Sequence, residues 1–113
     1  MGKRIIMSTK TIEDTRKFTA MVANKQGWKL THDEELLGFL VEGLTKNFNR
    51  YDYFCCPCRA AAADKQKDKD IICPCVYTKP DIAEYGHCYC GLYMSPAFFE
   101  TGKIPNSIPE RRA

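Results

Sequence analysis

The chain opens without a long hydrophobic run. Its first ten residues, MGKRIIMSTK, bring together only Ile5, Ile6 and Met7, too few for a signal-peptide core and far too few for a membrane span. The expectation is a protein that stays in the cytoplasm, where it is made, without membrane contact. Charge of one sign is also missing, since 17 basic residues stand against 14 acidic ones and the net charge is +3. The only basic cluster, Lys65, Lys67 and Lys69, alternates with Asp64, Asp68 and Asp70. That pattern is a solvated face, so nucleic acid is not an expected partner; the mild excess suits docking to an acidic protein. Strand patterning is weak throughout. Cysteine is absent everywhere except between residues 55 and 90. Seven in 113 residues fall short of a disulfide scaffold, and a reducing compartment turns such a cluster towards metal or redox chemistry.

What is present begins with two helix signals. Thr11-Ile12-Glu13-Asp14 reads as a helix start with Thr11 as N-cap, and the helix carries Ile12, Phe18, Met21 and Val22 before stopping ahead of Gly27. Thr31-His32-Asp33-Glu34 is a capping-box pattern that opens a second helix. There Leu37, Leu40, Val41, Leu44 and Phe48 recur at three- and four-residue steps on one face. Packing into a core explains both stripes, and Trp28 is expected in or near that core. Shorter helices are expected at 59–63, from the alanine run after Arg59, and at 80–86, closed by Gly86. Another follows at 95–102, with a serine cap, proline in the first turn and a closing glycine. The fold class is therefore mainly α, one small domain with the cysteines on loops between helices. Residues 1–8 read as a flexible arm, 9–103 as the domain, and 104–113, IPNSIPERRA, as a C-terminal tail.

The cysteines come as Cys56-Pro57-Cys58, Cys73-Pro74-Cys75 and Cys88-Tyr89-Cys90, with Cys55 in addition. A tetrahedral zinc or an iron–sulfur cluster takes four thiolates, so the three pairs leave two thiols over. Side chains at i and i+2 of an extended segment project the same way, and each proline presets the loop around it. A pair thus offers both sulfurs to a bulky cluster, or one to the cluster and one beside it. Two spare thiols close together form a disulfide, a two-electron group beside a one-electron carrier. Spacing does not say which four cysteines are ligands.

The ordered triple of pairs, with LLGFLVEGL upstream of an aromatic residue and Cys56, resembles the catalytic chain of ferredoxin:thioredoxin reductase over roughly residues 10–100. The resemblance implies a small, mainly helical domain holding a [4Fe–4S] cluster on inter-helix loops. Carried over position by position, the ligands are Cys56, Cys73, Cys75 and Cys88, and the redox disulfide joins Cys58 to Cys90. Cys58 takes the place of the exposed nucleophile and Cys90 that of the sulfur held against the cluster. The implied activity is an oxidoreductase: single electrons from ferredoxin reduce the disulfide of thioredoxin, or of a glutaredoxin-like protein, by dithiol exchange. The family also implies a separate variable subunit, of which this chain carries no sign.

The sequence departs from the family in three places. The third pair encloses Tyr89 where the family has a histidine thought to donate a proton, and His87 stands just before Cys88 as its candidate substitute; a place at the surface, or one behind a ligand that it orients, serves His87 equally well. Fourteen residues separate the first two pairs and twelve the last two, spacings that differ from those of photosynthetic members and suggest a non-photosynthetic relative. Cys55 has no counterpart and reads as a passive neighbour. Arg59 beside Cys58 is either an exposed helix-start residue or a group that lowers the Cys58 pKa or meets an acidic partner. Two other functions use the same residues: a structural zinc-binding interaction module, and a simple iron–sulfur electron carrier. The first leaves thiols unused, and the Cys-x-x-Cys-x-x-Cys run of bacterial ferredoxins is absent.

Overall fold

Two capped helices packed side by side carry most of the core. The computed structural model describes residues 9–59 and 61–111, and the expected arm at 1–8 lies outside them. Helix α1, Ile12–Gln26, starts at a full capping box in which the Thr11 hydroxyl accepts from the Asp14 amide and the Asp14 carboxylate accepts from the Thr11 amide. It ends where Gly27 turns left-handed. Its buried stripe runs through Thr15, Thr19, Val22 and Ala23. Ile12 and Met21, expected in the core, are instead 42% and 53% exposed, because that stripe faces the second helix and leaves their side outward.

Helix α2, Glu34–Tyr51, buries Leu37, Leu40, Val41 and Leu44, as the periodicity predicts. Its N-cap is Asp33, whose carboxylate accepts from the Leu36 amide at 3.1 Å. Thr31, read as the first residue of the capping box, is buried and accepts from the Asp33 amide at 3.2 Å, which shapes the approach to the helix without capping it. The two helices are joined by a 2.6 Å hydrogen bond between the hydroxyls of Thr15 and Thr45. Phe18 and Phe48 both pack on Phe54, with ring centroids 4.4 Å and 4.8 Å away.

About half of the described residues are helical, and a short antiparallel ribbon completes one small domain. Strand β1, Lys29–Leu30, pairs with β2, Tyr93–Met94, so that Leu30 lies opposite Tyr93. Half-buried Trp28 tilts against Tyr93 at 5.4 Å, near the core as expected. Helix α3, Thr78–Tyr85, begins two residues earlier than predicted and stops at left-handed Gly86; helix α4, Pro96–Glu100, is capped by Ser95. The expected helix at 59–63 is not formed by its described residues. Asp68 accepts the Ala62 amide at 2.9 Å, and Ala63 has φ 62°, so a loop folds around this buried carboxylate where alanine propensity suggested helix. The Tyr53 hydroxyl donates to the same carboxylate at 2.5 Å.

Candidate functional site

The chain brings its three cysteine pairs together by backbone pairing between distant segments. The Cys56 amide donates to the Ile71 carbonyl at 2.9 Å, and the Cys73 amide donates to the Phe54 carbonyl at 2.7 Å. These bonds, with a bridge between Cys55 and Ile72, lay the first pair alongside the second. The third pair sits in a tight turn closed from the Gly91 amide to the Cys88 carbonyl at 2.9 Å, immediately before β2. All six paired cysteines therefore lie outside helices and strands, as expected.

Five of them, Cys56, Cys73, Cys75, Cys88 and Cys90, line one cavity whose walls include Leu44, Pro57, Pro74 and Leu92. Cys58 is absent from that lining. It is exposed, and with Tyr89, Cys90, Ser107 and Ile108 it lines a shallower mouth at the surface. Cys90 alone among the cysteines belongs to both. Cys55 is fully buried and lines neither; its carbonyl accepts from Asn47 at 2.8 Å, which makes it a framework residue.

Hydrogen bonding sorts these thiols. Cys90 interacts with the sulfurs of Cys56, Cys58 and Cys88, and giving its proton towards them holds its own pKa well above the ordinary thiol value. The same bonds lower Cys56 and Cys58, with Arg59 adding a smaller push on Cys58. Cys88 is lowered to about 7, first by Cys90 and then by the amides of Tyr93, Gly91 and Leu92; the Tyr93 amide stands 3.4 Å from its sulfur. Burial pushes Cys73 and Cys75 up. Each has a hydroxyl beside it, Tyr93 Oη at 3.4 Å from Cys73 and Thr78 Oγ1 at 3.3 Å from Cys75. Thr78 meets Cys75 within a local turn three residues long, whereas Tyr93, 20 residues from Cys73, reaches it only through the fold.

Among the described residues, no three His, Cys, Asp or Glu side chains converge closely enough to hold a single metal ion. The thiols surround a cavity instead of a point. Five soft sulfur donors between apolar walls exceed the four that one tetrahedral zinc takes and suit an iron–sulfur group with a thiol left over.

His87 lines neither the cavity nor the mouth and is 2% exposed. Its Nε2 accepts from the Asn106 amide at 3.1 Å, so the ring proton sits on Nδ1, which donates to the Cys88 carbonyl at 2.8 Å. Tyr89, at the family's histidine position, does face the mouth. Arg59 is not an exposed helix-start residue: its guanidinium lies between the rings of Tyr77 and Tyr89, at 4.8 Å and 4.5 Å, and pairs with Glu110. Its Nε and the second NH2 group have no hydrogen-bond partner among the described residues. Burial works against its charge, but Cys75, Cys56 and Glu110 outweigh that and raise its pKa.

The model of a family described as "Ferredoxin thioredoxin reductase catalytic beta chain" matches residues 6–109. The chain is 26% identical over 96 residues to the ferredoxin-thioredoxin reductase catalytic chain of Porphyra purpurea, covering 83% of this chain and 78% of that one. It is 30% identical to the chloroplastic catalytic chains of Arabidopsis thaliana, over 93 residues, and Spinacia oleracea, over 100 residues. Those alignments cover 79% and 85% of this chain, and 60% and 64% of the two plant proteins.

Proposed function

The chain belongs to the ferredoxin thioredoxin reductase catalytic beta chain family, a family of oxidoreductases, and from that premise we propose that it is an iron–sulfur disulfide reductase. It takes electrons singly from ferredoxin and reduces the disulfide of thioredoxin or a similar protein by dithiol exchange. Cys56, Cys73, Cys75 and Cys88 would hold a [4Fe–4S] cluster, which when bound supplies the one-electron chemistry that a two-electron disulfide lacks. A companion variable subunit belongs to the same proposal.

The observation that carries this reading is the double membership of Cys90, in the thiol-lined cavity and in the mouth that exposes Cys58. Cys58 is accessible and its thiolate is favoured by the Cys90 thiol, so it is the sulfur suited to attack. Attack forms a bond from Cys58 to one substrate sulfur and releases the other as a thiolate. Cys90 then attacks Cys58 of that mixed disulfide, giving its proton to one released thiolate while solvent protonates the other. The sum is balanced: the enzyme dithiol becomes the Cys58–Cys90 disulfide, and the substrate disulfide becomes a dithiol. His87, with both ring nitrogens bonded to backbone, serves this scheme by fixing the Cys88 turn; a proton-donating role would first have to break the bond from its Nδ1 to the Cys88 carbonyl.

Metal analysis of anaerobically isolated protein, followed by reduction of oxidised thioredoxin with ferredoxin as donor, tests the proposal. About four iron and four acid-labile sulfides per chain and turnover that requires Cys58 are expected. Stoichiometric zinc without sulfide in protein that has lost no iron would overturn it.

A further inference from the structure

Residues 104–111 have no regular secondary structure, yet they are fastened to the domain along their length. Pro105 lies so close to Gly91 that a Cβ there would come within 2.7 Å of it. The Asn106 amide is held by His87 at 3.1 Å. Glu110 pairs with Arg59, whose side chain is only 2% exposed. Arg111 pairs with buried Asp81 at 2.5 Å and with Glu84. Between the anchors at 106 and 110, Ser107 and Ile108 form one wall of the mouth at Cys58 and Cys90. The opposite wall belongs to the cysteine loops and is tied into the domain by buried backbone bonds. At its outer end this wall is held by side-chain pairs, Glu110 to Arg59 and Arg111 to Asp81 and Glu84, of which only the Arg111–Glu84 pair lies open to solvent, where such pairs hold weakly.

We propose that the C-terminal segment is a strap that determines which disulfides reach Cys58. Closed, it leaves a mouth for small or narrow disulfides; released at Glu110 and Arg111, it admits a disulfide carried on the surface of a folded protein. A small molecule needs only the mouth itself. A folded protein brings its flanking surface with it, and that surface has to fit against Ser107 and Ile108, which line the mouth beside Cys58. The strap thus adds a choice of substrate size to the exchange proposed above, and it rests on Cys58 being the attacking thiol only for its consequence, not for its geometry.

Alkylation of Cys58, mapped by mass spectrometry on the reduced full-length protein, tests the strap directly. Two reagents are compared: iodoacetamide, which forms one S–C bond and releases iodide, and a maleimide mounted on a small folded protein, which forms one S–C bond and takes up a proton. Glu110→Gln combined with Arg111→Gln is expected to speed the protein-borne maleimide roughly tenfold while iodoacetamide stays within about twofold. Ile108→Gly trims the wall with both latches intact and is expected to shift the rates in the same direction. Equal effects on the two reagents, or no effect on either, across these variants would overturn the proposal. A Cys58 that is alkylated in the expected pattern but reduces no disulfide would instead count against the reductase reading alone.

Discussion

The sulfurs of Cys88 and Cys90 stand 3.8 Å apart, yet only that of Cys90 also borders the surface mouth where Cys58 is exposed. One residue intervenes between them in sequence, and the turn closed on the Cys88 carbonyl separates their surroundings. Cys88 receives the Tyr93 amide and is buried, whereas Cys90 is left within reach of both groups of thiols.

Serine at the two proposed exchange positions should give different products. Cys58→Ser is expected to abolish covalent capture of oxidised thioredoxin. Cys90→Ser is expected to trap a stable mixed disulfide between Cys58 and the substrate, because the sulfur that would release it is gone. Intact-mass spectrometry under non-reducing conditions distinguishes them; capture by the Cys58→Ser variant would remove Cys58 from its role.

Iron content should separate the proposed ligands from Cys55. Cys73→Ser and Cys75→Ser are expected to lose most of the iron. Cys55→Ala is expected to keep it, since Cys55 lines neither the cavity nor the mouth. The Cys55 change removes a fully buried sulfur and should cost about 1 kcal/mol of stability. Iron loss from the Cys55 variant, with folding intact, would make it a ligand.

The hydroxyl pair between α1 and α2 should show strong non-additivity. Thr15→Val leaves Thr45 its bond to the Val41 carbonyl, at 2.8 Å, and Thr45→Val leaves Thr15 its longer one to the Thr11 carbonyl, at 3.3 Å. Each single change is expected to cost about 1 kcal/mol, and the double change less than the sum, because the second removes a group already without its partner. Urea unfolding of the four proteins measures this directly, and simple additivity would mean the two hydroxyls act independently.

The cap of α1 should be pH-sensitive. Bonds from the Thr11 amide and then the Thr11 hydroxyl hold the Asp14 carboxyl below its ordinary value of 3.8. A lowered folded-state pKa means stabilisation that is present above 3.8 and disappears as the pH falls through the lower folded value. Asp14→Asn should therefore melt below the parent protein near neutral pH, and the gap should narrow near pH ~3. A gap of unchanged size at both would show that the charge of Asp14 contributes nothing to the cap.

Much of the fold was legible because its signals are local. Thr11, Asp14 and Gly27 bound the first helix by caps that need only neighbouring residues, and the spacing of Leu37, Leu40, Val41 and Leu44 marks a buried face. Local reading failed where a distant group intervened. The alanines after Arg59 do not make a helix because Asp68 takes the Ala62 amide, and Arg59 is buried by two tyrosines and by Glu110, 51 residues further on. The segment that reads as a tail is tied down through residues such as Arg111, whose partner Asp81 lies 30 residues back.

For the site, the sequence by itself determined the donors: three ordered pairs, each able to offer two sulfurs, within a stretch that resembles one family. Which sulfur faces which neighbour was decided only by tertiary structure. Spacing of i and i+2 relates the two members of one pair and says nothing of how three pairs are arranged. That arrangement depends on backbone bonds such as Cys56 to Ile71 and Cys73 to Phe54, and on the distant Ser107 and Ile108 that line the mouth with Cys58. These contacts link segments far apart in the chain, so their geometry exists only once the helices have packed.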